Sequence, residues 1–128
     1  KPNENEIRDL FDDYSSPLSL LSKNLLSMGA ENVLITKGGD GAYFRSKDRA
    51  YKIKVPKVDV VSTIGSGDST LAGFAYGLSQ HLPLLETISL ALSFGTSNAL
   101  HREVGRVEKR EIEDIMKRIE IRETESDL

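Results

Sequence analysis

The 128 residues contain no cysteine and no tryptophan, and their aromatic side chains amount to 6%. Without cysteine there is neither a disulfide framework nor a thiolate metal site, which fits a reducing compartment; a cytoplasmic location is the expectation. Histidine is almost as scarce, with only His81 and His101 in the chain. No apolar run approaches the roughly 20 residues that cross a bilayer, and no basic-then-apolar leader opens the chain, so no membrane partner is expected. Positive charge is not in surplus either: the formal net charge is -3. Nucleic acid therefore finds no overall attraction, and any anion has to be bound locally. What is present, 38% hydrophobic and 29% charged residues, is ordinary for a soluble globular chain. The length suits one compact domain with a modest core. The first residue is Lys1 rather than Met, and a patterned region begins at once, which reads as a piece of a longer chain.

From Glu4 the apolar residues Ile7, Leu10, Phe11 and Tyr14 recur at helical spacing until Pro17 interrupts them. A second helix is expected from about Leu18, with Leu21, Leu25 and Met28 on one face and Gly29 as its stop. Val33–Thr36 reads as a short buried strand, and Gly38–Gly41 as a tight turn. Ala42–Arg45 and Tyr51–Val55 read as two more strands of a meander. After Pro56 come extended chain through Val61, a glycine-rich loop, and a helix carrying Leu71, Ala72, Phe74, Ala75 and Leu78. Helices are expected from Leu84 to about Leu100 and from about Lys109 to Ile119, followed by a charged end, Glu120–Asp127, that should fray. Helices flanking a buried strand point to a layered α/β architecture.

The segment Ser62–Ser69, STIGSGDS, carries the most chemical information. If Gly65, Ser66 and Gly67 enter a helix N-terminus, their unpaired N–H groups converge on one point that suits a phosphoryl group. Asp68 then lies in the first turn, ionised and able to take a proton from a hydroxyl. A plain capping role for Asp68 and Ser69 is about as good an account of an isolated G-x-G-D. The P-loop pattern is absent, and the dinucleotide pattern fails at Thr70, where its last glycine would stand.

Ser62–Ser69 is similar to the D-T-x-G-A-G-D signature of the PfkB/ribokinase family of carbohydrate kinases. The longer run Val58–Leu78 resembles most the branch that phosphorylates fructose 1-phosphate, with tagatose 6-phosphate as the competing substrate. The resemblance implies a ribokinase-like layered α/β fold in which this chain, residues 1–128, is the C-terminal nucleotide-binding and catalytic portion, with helices on a small, mostly buried sheet. It implies Asp68 as catalytic base and Gly65, Ser66 and Gly67 as anion hole, with ATP and Mg2+ as cofactors and a sugar phosphate as partner. Ser62 stands where many relatives have an aspartate that helps hold a monovalent cation, so the resemblance does not extend to potassium activation.

Other segments resemble the family more locally. Lys1-Pro2-Asn3 with Glu6 is similar to its K-P-N-x-x-E segment, which implies nucleotide contact by Lys1 and Asn3 and a water-mediated role for Asn3 and Glu6 at magnesium. Asn-x-x-Glu is equally a helix capping box. Thr36–Ala42 is similar to the T-x-G-x-x-G-A loop that lies along the nucleotide, implying roles for Thr36, Gly38 and Gly41. Asp40-Gly41 is also an ordinary hairpin turn. Gly95 and Asn98 fall where relatives line the adenine pocket, and His101 receives no role. The resemblance ends near Ile119 and spans only the latter part of a family member. Sugar recognition and the lid, through which a homo-oligomer would form, are expected outside it, and the chain is expected to be inactive alone. A non-catalytic nucleotide- or anion-binding fragment is the competing reading.

Overall fold

The computed structural model describes residues 1–124 and divides into two compact units, Lys1–Lys54 with the C-terminal segment from Glu120, and Val55–Ile119. In the first unit α1 (Glu4–Phe11) and α2 (Leu18–Ser27) precede β1 (Asn32–Thr36), β2 (Ala42–Ser46) and β3 (Ala50–Lys54). Asn3 starts α1 by accepting the Glu6 N–H on Oδ1 at 2.8 Å, and Asp12 stops it in a left-handed conformation. The sheet is antiparallel throughout, in the order β1-β2-β3-β4.

β4 is Glu120–Thr124, and it corrects the expectation of a frayed end over those residues; the rest of that segment lies outside the described residues. Its alternation pairs Ile121 with Ile53 and Arg122 with Lys52, and Glu123 reaches Arg49 at 3.3 Å. Tyr43 and Ile35 are register partners and share a core with Ile7, Leu21 and Val33, against which Phe11, Leu18, Leu25 and Leu26 pack. Leu10, Tyr14 and Met28, which the periodicity placed on apolar faces, are 60%, 63% and 68% exposed. Tyr14 lies beyond the end of α1, and Met28 is the C-cap of α2.

The second unit consists of α3 (Ser66–Ser79), α4 (Leu84–Ala99) and α5 (Lys109–Arg118). The approach to α3 is tied to the end of α4, where the Val61 and Ser62 N–H groups both donate to the Ala99 carbonyl at 2.8 and 3.2 Å. The side of α3 that meets α4 is made of small residues: Ser69, Thr70, Gly73 and Gly77 are buried. At Gly73 an added Cβ would stand 2.8 Å from Ala91 Cα, and at Gly77 2.6 Å from a Thr87 methyl. Leu71 and Leu78 of α3 point the other way and are 53% and 56% exposed, while Tyr76 stacks on Phe94 of α4. Spacing identified the helix, but size decided which face is buried, because only small side chains let two helix backbones approach this closely.

Candidate active site

The glycine loop of the second unit leads into a helix N-terminus as its sequence suggests, but the Ser66 N–H, expected to be unpaired, is already bonded within the turn. Gly65 is the N-cap of α3 at φ +84°, a conformation that a side chain strains, and an added Cβ would meet Val104 Cγ1 at 2.6 Å. No side chain caps α3. The Ser66 N–H turns back to the Thr63 carbonyl at 3.1 Å and the Ser69 N–H reaches Gly65 at 2.9 Å, so Gly67 and Asp68 lie between them in the uncapped first turn. Asp68 is exposed, on the side of α3 away from α4. The arrangement offers an anion two backbone donors backed by the helix dipole, with a carboxylate beside them.

Behind the loop, Asn98 is fully buried and uses its whole amide. Its Nδ2 donates to the Ile64 carbonyl at 2.9 Å and to Ser66 Oγ at 3.1 Å, while its Oδ1 accepts the Gly105 N–H at 2.6 Å. One side chain thus fastens the glycine turn to α4 and to the segment that follows α4. Three residues upstream, Gly95 lets α3 settle: a Cβ there would lie 2.1 Å from Thr70 Oγ1 and 3.0 Å from the Ser66 carbonyl oxygen. The structure gives Gly95 and Asn98 work inside the second unit, supporting the loop from beneath. Gly105 and Val104 belong to the same support and were not among the sequence candidates; Gly105 left a turn signal, at φ +81°, but nothing local tied it to Asn98.

A further network joins α4 to α5. The His101 Nε2–H and the Ser97 hydroxyl both donate to Glu111 Oε1 at 2.7 Å, and Ser97 Oγ also accepts the Glu108 N–H at 3.0 Å. Partial burial would raise the Glu111 carboxyl, but the bonds from His101 and then Ser97 outweigh it and hold the group below its ordinary range. His101, Glu108 and Glu111 bring ligand atoms within 4.8 Å of one another. Arg106 already pairs with Glu108 at 2.6 Å, so the group is a satisfied cross-link between helices.

In the first unit the structure brings together Asn3 and Thr36, which form an isolated parallel bridge; the Thr36 N–H donates to the Pro2 carbonyl at 3.1 Å. Lys1 precedes this bridge and is exposed. Asn3 serves as the helix cap, and the Glu6 carboxylate is exposed, without an ion pair among the described residues. Gly38–Asp40 form one 3-10 turn, closed by the Gly41 N–H to Gly38 at 3.1 Å and the Lys37 N–H to Gly41 at 2.8 Å.

Residues 1–109 match the model of the pfkB family carbohydrate kinases. A 1-phosphofructokinase of Borreliella burgdorferi is 40% identical over 104 residues, covering 78% of this chain and 34% of that protein. A tagatose-6-phosphate kinase of Staphylococcus epidermidis is 30% identical over 126 residues, covering 94% of this chain and 40% of its own length. Among solved structures, phosphofructokinase-2 of Escherichia coli in complex with potassium superposes with a TM-score of 0.83 at 20% identity, over 91% of this chain and 39% of that one. Ribokinase of Thermotoga maritima gives 0.80 at 23% identity, over 91% and 41%. These likenesses show a ribokinase-like α/β fold, and the chain spans well under half the length of each relative.

Proposed function

Because the chain belongs to the pfkB family of carbohydrate kinases, we propose that it carries the phosphoryl-transfer machinery of an ATP-dependent sugar-phosphate kinase. Fructose 1-phosphate is the first candidate acceptor and tagatose 6-phosphate the second, following the names of its relatives. The observation that carries the reading is the uncapped start of α3, where a left-handed Gly65 precedes an exposed Asp68 in the first turn. Asp68 accepts the proton of the sugar hydroxyl as that oxygen attacks the γ-phosphorus, whose bond to the bridging oxygen breaks and leaves ADP. The N–H groups at Gly67 and Asp68 stabilise the charge on the transferred group.

Gly95 and Asn98 act here by fixing the loop, a supporting role in place of the direct adenine contact that the resemblance implies. Thr36, Gly38 and Gly41 line the nucleotide in this proposal, with Lys1 and Asn3 beside them. Asn3 Oδ1 is committed to its cap, so Glu6, exposed and without an ion pair among the described residues, is the residue that fits magnesium through water. Bound magnesium would neutralise charge on the phosphates. Ser62 offers no carboxylate to a monovalent cation, and its hydroxyl accepts the Ile64 N–H at 3.2 Å.

The test is Asp68→Asn in the natural polypeptide that contains this sequence. Asp68 stands in the first turn and caps nothing, so the exchange costs at most the roughly 0.3–1 kcal/mol of its charge at the helix dipole, and the fold should hold. Turnover should fall by about two to four orders of magnitude with ATP affinity nearly unchanged. Near-normal turnover in a variant of unchanged Tm would refute the assignment of Asp68 as base.

A further inference from the structure

On the sheet face of the first unit that packs against α1 and α2, Tyr43, Lys52 and Arg122 are register partners across β2, β3 and β4 and so stand in one row. Lys54 lies two residues along from Lys52 on the same side, opposite Glu120. An open pocket of about 500 Å³ is lined by this row, by Leu18 at the entry to α2 and by Lys37 and Asp40 of the β1–β2 turn. Lys37, Lys52, Lys54 and Arg122 form no ion pair among the described residues. Four cations thus face two carboxylates, Asp40 and Glu120, in a chain that is acidic overall.

Two further features point to an absent partner. Tyr43 is 3% exposed, and its hydroxyl is buried without a hydrogen-bond partner among the described residues. An unsatisfied buried hydroxyl costs about 1–3 kcal/mol, and a ligand that accepts its proton would remove that cost. Beside it α2 starts with Pro17 as N-cap and no side-chain cap, leaving first-turn N–H groups for an anion.

We propose that this pocket binds a phosphorylated small molecule, with its phosphate held by the Tyr43 hydroxyl, Lys52 and Arg122. A phosphate dianion matches the local surplus of positive charge, and a guanidinium can grip it with two parallel hydrogen bonds. The volume is in the range of small-molecule pockets and leaves room for an organic body the size of a sugar. Every lining residue belongs to the first unit, whereas Asp68 and its loop belong to the second; Lys37 and Asp40 adjoin Gly38 and Gly41, so competition with MgATP is the outcome that separates this pocket from the nucleotide of the phosphoryl-transfer reading.

The test titrates the chain with glycerol 3-phosphate and with inorganic phosphate, following backbone amide shifts by NMR and heats by calorimetry. Saturable binding of glycerol 3-phosphate should shift the amides of Lys52 and Arg122. Tyr43→Phe and Arg122→Gln should each weaken it about tenfold. Asp68→Asn should leave it unchanged, which separates this pocket from the site of transfer. Tyr43→Phe should also keep or raise Tm, since it deletes an unpaired group. The proposal is overturned if no saturable binding occurs, if both pocket variants bind as the parent does, or if MgATP displaces the ligand competitively. It is equally overturned if Tyr43→Phe lowers Tm, because the hydroxyl would then already have a structural partner.

Discussion

Gly95→Ala tests the contact that seats the glycine loop at the start of α3. Inside a helix such an exchange ordinarily stabilises by about 0.5–1 kcal/mol, because alanine has less backbone freedom to lose on folding. Here the new methyl would stand 2.1 Å from Thr70 Oγ1 and 3.0 Å from the Ser66 carbonyl oxygen. Van der Waals contact lies near ~3.5 Å, so Thr70 has to retreat by more than about 1 Å. Thr70 is 4% exposed, and its hydroxyl donates to the Ser66 carbonyl at 2.8 Å. Its retreat therefore breaks that bond or lifts the first turn of α3 from α4. Overpacking of this kind costs about 1–3 kcal/mol, and a clash this close belongs at the top of the range. After the helical gain is subtracted, a net loss of about 2 kcal/mol remains. Urea unfolding of parent and variant, followed by circular dichroism, measures it from the change in midpoint at constant m. In a Thr70→Ala background the principal clash is gone, and the same exchange should cost less than about 1 kcal/mol, a coupling that a double-mutant cycle resolves. A Gly95→Ala chain more stable than its parent would refute the described α3–α4 contact, since propensity alone predicts that sign.

Two further expectations concern other parts of the site. Asn3→Ala should lower stability by about 1 kcal/mol through loss of the α1 cap, while Asn3→Asp should retain it; thermal melts of the two variants decide, and equal Tm values would remove the cap from the account. Glu111 has its folded-state pKa depressed from the ordinary 4.5, so its contribution is present above that value and is lost as pH falls through the folded pKa. Glu111→Gln should accordingly be less stable than the parent at neutral pH, with the gap closing in the acid range. A gap that is constant from neutral to strongly acid pH would sever the link to the His101 and Ser97 bonds.

Much of the architecture was legible because local signals agreed. Asn3 before an apolar-periodic run marks the start of α1, Gly29 follows the end of α2, and the branched run at Val33–Ile35 forms β1. β4 was not legible, because Glu-Ile-Arg-Glu-Thr has one apolar residue, and its strand character comes from β3, far away in sequence. The faces of α3 were misleading for another reason. Apolar spacing singles out Leu71 and Leu78, whereas close helix contact selects Gly73, Gly77 and Thr70. At the candidate site the glycine loop and Asp68 stood out through spacing, but the work of Asn98 depends on Ile64, Ser66 and Gly105, which only folding gathers around it. The Tyr43–Lys52–Arg122 row was invisible for the same reason, since its members lie on three strands.

The first unit is discontinuous along the chain, and that orders events during synthesis. β3 leaves the ribosome with its outer edge bare, and its partner β4 follows only after the whole of Val55–Ile119 has been made. During that interval Tyr51 and Ile53 sit on a strand with unpaired backbone groups, the kind of edge that recruits other chains. The exposed Lys52 and Lys54, alternating with them, put positive charge on the waiting strand and discourage that pairing. The sheet is therefore completed only after the intervening second unit has been synthesised, although its first three strands precede that unit.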